Sequence, residues 1–258
     1  MYSMSNCVKS EKSKGILAFA NNTSSIDYES IGARTLALAG QSLALPTKLV
    51  TGQQQDNWHN TRRDVDSKQS VEWNNHSRWQ CYELSPWDQT LVIDIDLLVM
   101  TDRLLKLFDN LQDYQLCHSN NTLFTQDHNS FAPVWATVFA FEKTPAAEDF
   151  FGLVGRIQRN WNYYRTLFGI VQLEFRNDYA FAMAEIILGG HSRPQHTRMP
   201  WGITTVDTPI TNIEWSGEWL VVRTEETARV LPRCDLHVMS KAWLQTSALD
   251  LLIQGAMT

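Results

Sequence analysis

This sequence has no apolar run long enough to cross a bilayer, no cysteines at metal or redox spacing, and no glycine-rich phosphate loop. Each absence removes a class. A spanning helix needs about 20 consecutive apolar residues, and the first stretch, Met1 to Ser13, is polar and lacks the apolar centre of a signal peptide. Cys7, Cys81, Cys117 and Cys234 are scattered. They form neither Cys-x-x-Cys pairs nor the framework of a small secreted domain, so reduced thiols in a cytoplasmic protein are expected, with no membrane partner. No Gly-x-Gly-x-x-Gly follows the first apolar strand, and there is no Gly-x-x-x-x-Gly-Lys-Ser/Thr. These absences argue against a dinucleotide cofactor and against a P-loop nucleotidase.

Charge is also scarce. Charged residues make up 19% of the chain and the formal net charge is −6, which gives no global electrostatic case for nucleic-acid binding and leaves only local basic patches. A hydrophobic content of 43% over 258 residues is that of an ordinary globular chain, enough for one large α/β domain. Tryptophan is the exception to scarcity. Ten residues of it are many for this length, and some are expected to line a cleft where rings stack.

The stretch Thr90 to Val99 (TLVIDIDLLV) holds two aspartates inside an apolar, β-branched run. Such a run reads as a buried strand. Carboxylates are seldom buried unless paired or bound to metal. Alternation places Asp94 and Asp96 on one face, and a strand ending near Asp94 delivers both to its carboxyl end, where open α/β sheets bind ligands. Hard oxygen donors there suit Mg²⁺ or Mn²⁺ carrying a diphosphate. The plainer reading has Asp96 capping a helix that starts near Leu97.

Residues 1–13 read as a disordered lead and residues 14–258 as one domain. Gly15 to Ala20 is the first expected strand, and Asn21 to Ser25 a turn rich in helix-capping residues. A helix is expected over 26–43 and a strand over 48–50, the opening of a doubly wound nucleotide-binding fold. Residues 51–79 are polar and too long for a plain connection. Arg62, Arg63 and Arg78, with Trp58, Trp73 and Trp79, either grip an anion there or form a solvated excursion. A helix over 101–111, strands over 115–118 and 134–141, and a helix from Ala146 to Asn160 or beyond follow, the last opened by Pro145. Arg156 to Arg165 interleaves arginines and aromatics, which suits a polymer's bases or sugars, or a helix with a ring-lined core face. A helix over 177–188 has Asn177 or Asp178 as its natural cap. A strand over 202–206, a hairpin across Ser216-Gly217 and a last helix over 249–253 complete the reading.

Pro86-Trp87-Asp88-Gln89-Thr90 before the strand ending Asp94-Ile95-Asp96 resembles the Asp-x-Asp segment of GT-A fold glycosyltransferases. Downstream, His237 and Lys241 stand at the spacing found in the glycogenin-related and bacterial galactosyltransferase families. The resemblance spans about residues 15–245. It implies an α/β fold: a single GT-A-like, Rossmann-like domain with a mixed, mainly parallel central sheet flanked by helices. It implies Asp94, Asp96 and His237 as ligands of Mn²⁺ or Mg²⁺, with Asp94 and Lys241 meeting the diphosphate of a nucleotide-sugar donor, expected to be UDP-linked. Ala18, Phe19, Ala20 and Asn21 would embrace the base, and Asp178, with Asn177 second, would contact acceptor or donor sugar. The chain departs from the family pattern twice: Asn-x-Gly is missing before the 134–141 strand, and Met239-Ser240 replaces a glycine after His237.

The chain resembles most the small single-domain glycosyltransferases encoded by bacteriophages, and a phage origin would imply the host cytoplasm. That likeness implies an acceptor among hydroxymethylated bases of phage DNA, with Arg62, Arg63, Arg156, Arg159 and Arg165 on phosphate. A surface polysaccharide or a protein is the alternative acceptor. A metal-dependent nucleotidyltransferase and a non-catalytic nucleotide-sugar-binding protein are the alternatives to the activity itself.

Overall fold

The computed structural model describes residues 11–52, 60–73, 77–111, 116–118, 134–190, 196–199 and 201–257. Chain order begins β1 (Lys14–Ala20), α1 (Tyr28–Leu43), β2 (Thr47–Thr51), β3 (Asn60–Arg63) and β4 (Ser70–Trp73). A 3-10 turn at Ser77–Gln80 leads to α2 (Cys81–Leu84), β5 (Gln89–Ile93) and β6 (Leu97–Leu98). A second 3-10 turn at Arg103–Leu105 leads to α3 (Lys106–Asn110) and β7 (Leu116–His118). Then come β8 (Val138–Glu142), α4 (Pro145–Arg159), α5 (Trp161–Leu167), α6 (Asn177–Gly189), β9 (His196–Arg198) and β10 (Thr204–Val206). The chain closes with β11 (Asn212–Ser216), β12 (Trp219–Arg223), β13 (Ala228–Pro232), β14 (Leu236–Val238), α7 (Lys241–Leu244) and α8 (Ala248–Ala256).

The central sheet has six strands in the order β2-β1-β5-β8-β7-β9. All run the same way except β8, which is antiparallel to both neighbours. The expected mixed, mainly parallel sheet is therefore present. Strand alternation sends side chains into two cores. Ile16, Leu91, Ile93, Val138 and Ala140 pack on the side of α1, α3 and α8, while Leu17, Val92, Phe139 and Phe141 pack against α4 and α6. Helices thus cover both faces, which is why β5 is apolar without polar alternation. Capping places the helices locally: Asp27 accepts from Ser30 N before α1, and Thr144 accepts from Ala147 N before α4 with Pro145 in the first turn.

Several expectations shift. The polar 51–79 stretch contains the antiparallel hairpin β3–β4, whose turn is closed by Asp64 through Ser67 N and Lys68 N. Its shortness and the polar residues around it hid it, because only Val71 and Trp73 alternate as apolar positions over four residues. Asp96 does not cap a helix, since Leu97–Leu98 form a strand paired with β14. The 134–141 strand starts only at Val138, after a turn that presents Thr137 O to Asp94 N at 2.9 Å. The expected helix past Asn160 is split there into α4 and α5. Arg176, in extended backbone, occupies the cap position of α6, so Asn177 and Asp178 are free of that task. A third strand, β13, joins the β11–β12 hairpin. Ser13, in the expected lead, donates through N and Oγ to Asp88 Oδ2, and Gln89 N donates to Ser13 O.

Candidate active site

Backbone ladders bring the site together. β6 pairs with β14 so that Leu97 lies opposite His237, and Val238 N donates to Asp96 O at 2.8 Å. β5, β6 and β14 thereby set Asp94, Asp96 and His237 at one edge, with ligand atoms of all three within 4.8 Å of one another. The loop carrying the aspartates is pinned from the other side by α1. Thr35 Oγ donates to Ile95 O at 2.7 Å. Gly32 lets the helix approach, because a Cβ there would lie 3.0 Å from Ile95 Cγ2. Extending the β1–β5 register of Leu17 with Val92 sets Phe19 level with Asp94, so Ala18, Phe19, Ala20 and Asn21 end at the same sheet edge.

Burial makes the electrostatics strong. Asp96, His237 and Lys241 are 6%, 5% and 2% exposed. His237 Nε2 lies 3.2 Å from Asp96 Oδ1, and Lys241 Nζ lies 2.5 Å from Asp96 Oδ2. Burial by itself raises the Asp96 carboxyl, but the Lys241 ammonium and His237 outweigh it and hold the group well below the usual carboxylate range. Lys241 also donates to Met239 O at 3.1 Å. The Trp135 ring meets the His237 ring edge-on, with centroids 4.9 Å apart. His237 Nδ1 is buried without a hydrogen-bond partner among the described residues.

Asp94 is paired with Arg78 through Oδ1 and Nη2. Burial lowers the Arg78 guanidinium to about 10, opposed by the charges of Asp178 and then Asp96. It therefore remains cationic at neutral pH and is in the field of all three carboxylates. The sequence reading grouped Arg78 with its polar loop, and the structure carries it inward. The means is Trp79, which packs on Gly155 of α4, where a Cβ would stand 2.8 Å from the ring. The Arg159 guanidinium also lies over that ring, 5.3 Å from its centroid.

Asp178 is 8% exposed, and its Oδ1 accepts from Ala136 N at 2.9 Å. Arg176 Nε stands 3.5 Å from its other oxygen, and Asn177 is buried beside it. The side chains of Arg62, Arg63 and Trp73, and all of Trp58, lie outside the described residues. Sequence reasoning missed Asp66. From the β3–β4 turn it accepts from Ser240 Oγ at 2.5 Å and Ala242 N at 2.9 Å, beside Lys241. Its only sequence signal is its place in an overlong polar connection.

The donor set fits a divalent cation. Two carboxylates and an imidazole are ligands such ions accept, and adjacent ligand atoms around an ion with bonds of about 2.1 Å lie about 3 Å apart. The 3.2 Å between His237 and Asp96 matches that edge, and Asp94, with 22% of its side chain exposed, leaves the site open on one side.

No protein-family model matches the chain, and no curated protein matches it. Solved structures do. The galactosyltransferase LgtC in complex with donor and acceptor sugar analogs is similar at 10% identity, over 71% of this chain and 72% of that one, with a TM-score of 0.47. Mouse xyloside xylosyltransferase 1 is similar at 9% identity, over 68% and 82%, with a TM-score of 0.39. The 4-diphosphocytidyl-2C-methyl-D-erythritol synthase of Anaerococcus prevotii is similar at 12% identity, over 72% and 88%, with a TM-score of 0.34.

Proposed function

We propose that the chain is a metal-dependent glycosyltransferase that moves a sugar from a nucleotide-sugar donor, a UDP-sugar, to an acceptor hydroxyl. The observation that carries this reading is the convergence of Asp94, Asp96 and His237 at the sheet edge with a cation against each carboxylate. A nucleotide sugar loses a diphosphate when its anomeric C–O bond breaks, and the bonding electrons leave on the phosphate oxygen. When bound, a divalent ion held by these three side chains supplies Lewis-acid neutralisation of that charge. The mixed oxygen and nitrogen donor set favours Mn²⁺ over Mg²⁺.

The remaining work falls to side chains. Lys241, held against Asp96, adds positive charge beside the ion for the same phosphate oxygens. Arg78, paired with Asp94 and in the field of Asp178, serves the diphosphate or the donor sugar's hydroxyls. Asp178, bonded to Ala136 N, orients the acceptor hydroxyl, and would take its proton in an inverting reaction, with Asn177 alongside. The residues from Ala18 to Asn21 hold the base. Among the described residues no helix is long and apolar enough to cross a membrane, and a hydroxymethylated base in duplex DNA remains one acceptor class for this chemistry.

The test is release of nucleoside diphosphate from UDP-, GDP- and dTDP-linked sugars with Mn²⁺, beside release of pyrophosphate from nucleoside triphosphates. UDP release from a UDP-sugar is expected, with none after chelation. Pyrophosphate release alone would overturn the reading in favour of nucleotidyl transfer.

A further inference from the structure

Ahead of α6 in the chain, α5 and the segment after it expose large apolar side chains. Tyr163, Leu167, Val171 and Leu173 are 66%, 63%, 73% and 71% exposed. Their placement makes one surface. Tyr163 and Leu167 share a face of α5, being four residues apart. Gly169, with φ of 66°, reverses the chain after the helix, and Trp161 Nε1 donates to Leu173 O at 2.8 Å. The segment 171–173 therefore runs back along α5, with Val171 and Leu173 on one side of it.

The same region is basic in an acidic chain. Between Asp149 and Glu174 the chain carries Arg156, Arg159 and Arg165 and no acidic residue, with Arg176 following, whereas the whole carries a net charge of −6. Arg156 and Arg159 are exposed at the end of α4, and Arg165 is half-buried on α5. The aromatics that suggested base stacking are otherwise engaged. Trp161 is fully buried against Phe175 and Tyr179, and Tyr164 is half-buried. Aliphatic side chains such as leucine and valine offer no ring for a base, but they do enter a headgroup layer readily, and arginines beside them meet anionic lipid.

We propose that α5 and the 168–173 segment dock this protein peripherally on an anionic lipid surface. Peripheral docking of this kind needs no spanning segment, so it departs from the expectation of no membrane partner. Leu173 leads through Phe175 directly to Asn177 and Asp178 at the start of α6, so docking sets that end of the candidate site at the bilayer. If the glycosyltransferase reading holds, the acceptor is then carried by a lipid.

The experiment is sedimentation of the full chain with phosphatidylcholine vesicles containing or lacking phosphatidylglycerol. Binding is expected only to the anionic vesicles, weakening with salt. Leu167→Asp with Val171→Asp should lower it roughly tenfold or more, and Arg156→Gln with Arg165→Gln by a comparable factor. Thermal melting and UDP-sugar hydrolysis without vesicles check that the aspartate variant is folded and that its donor site is intact. Hydrolysis with no vesicle binding sinks the docking proposal alone. Three results would overturn it: no preference for anionic vesicles, unchanged binding by the aspartate variant, or a solution dimer that this variant dissociates. Salt-dependent binding to duplex DNA in place of vesicles would assign the basic surface to nucleic acid instead.

Discussion

His237 Nε2 lies 3.2 Å from Asp96 Oδ1 because the β6–β14 ladder sets Leu97 opposite His237. The contact is a consequence of backbone pairing, so the ligand geometry is built before any ion arrives. Lys241 on the other oxygen of Asp96 completes a buried cluster whose charges depend on one another.

Replacing Asp96 by Asn removes the countercharge of a buried lysine. Losing one member of a buried pair costs about 3–5 kcal/mol, so the melting temperature should fall clearly. Transfer activity should drop by roughly two to three orders of magnitude, as when a preorganised charge-stabilising group is removed. A variant with unchanged stability would mean that Lys241 finds water.

The same cluster sets a pH response. The folded carboxyl of Asp96 is depressed relative to the unfolded chain. Its contribution is therefore present above the unfolded value of about 3.9 and is lost as pH falls through the lower, folded one. Denaturant titrations of the wild type should show stability falling below about pH 4, with a shallower fall for Asp96→Asn. Parallel curves would remove Asp96 from the acid response.

Arg78→Lys keeps a positive charge but loses the planar guanidinium that pairs with Asp94. Steady-state kinetics should show kcat reduced about tenfold to a hundredfold, while Arg78→Met should also destabilise the fold by leaving Asp94 without its partner. Equal kcat in the lysine variant would confine Arg78 to a structural role.

Asp66 fastens the β3–β4 turn to Ser240 and Ala242 beside Lys241. Asp66→Ala should free that turn. Limited proteolysis between Asp64 and Gln69 should quicken, and the KM for donor should rise a few-fold with kcat little changed, since only positioning is lost. An unchanged cleavage pattern would show that the hairpin holds without this contact.

Much of this was readable because the pattern was local. The apolar run around Asp94 and Asp96 gave the buried strand and its two carboxylates, and Pro145 after Thr144 marked the start of α4. The family resemblance, which joined His237 and Lys241 to the aspartates, did so by order along the chain, and the ladder supplies the physical cause. What stayed hidden depends on long-range packing. Arg78 enters the site beside Trp79, which packs on Gly155, and Asp66 arrives on a hairpin of two four-residue strands too short to leave a periodic signal. The apparent stacking motif around Trp161 turned out to bury its tryptophan, because periodicity cannot say which side of a short helix meets the core.

The central claim is that Asp94, Asp96 and His237 form one divalent-cation site. Calorimetric titration of Mn²⁺ in the presence of UDP tests it most directly, using the wild type, Asp94→Asn with Asp96→Asn, and His237→Ala. One ion per chain is predicted for the wild type, with affinity lost in the aspartate variant and weakened about tenfold to a hundredfold in the histidine variant. Equal Mn²⁺ binding by all three proteins would contradict it.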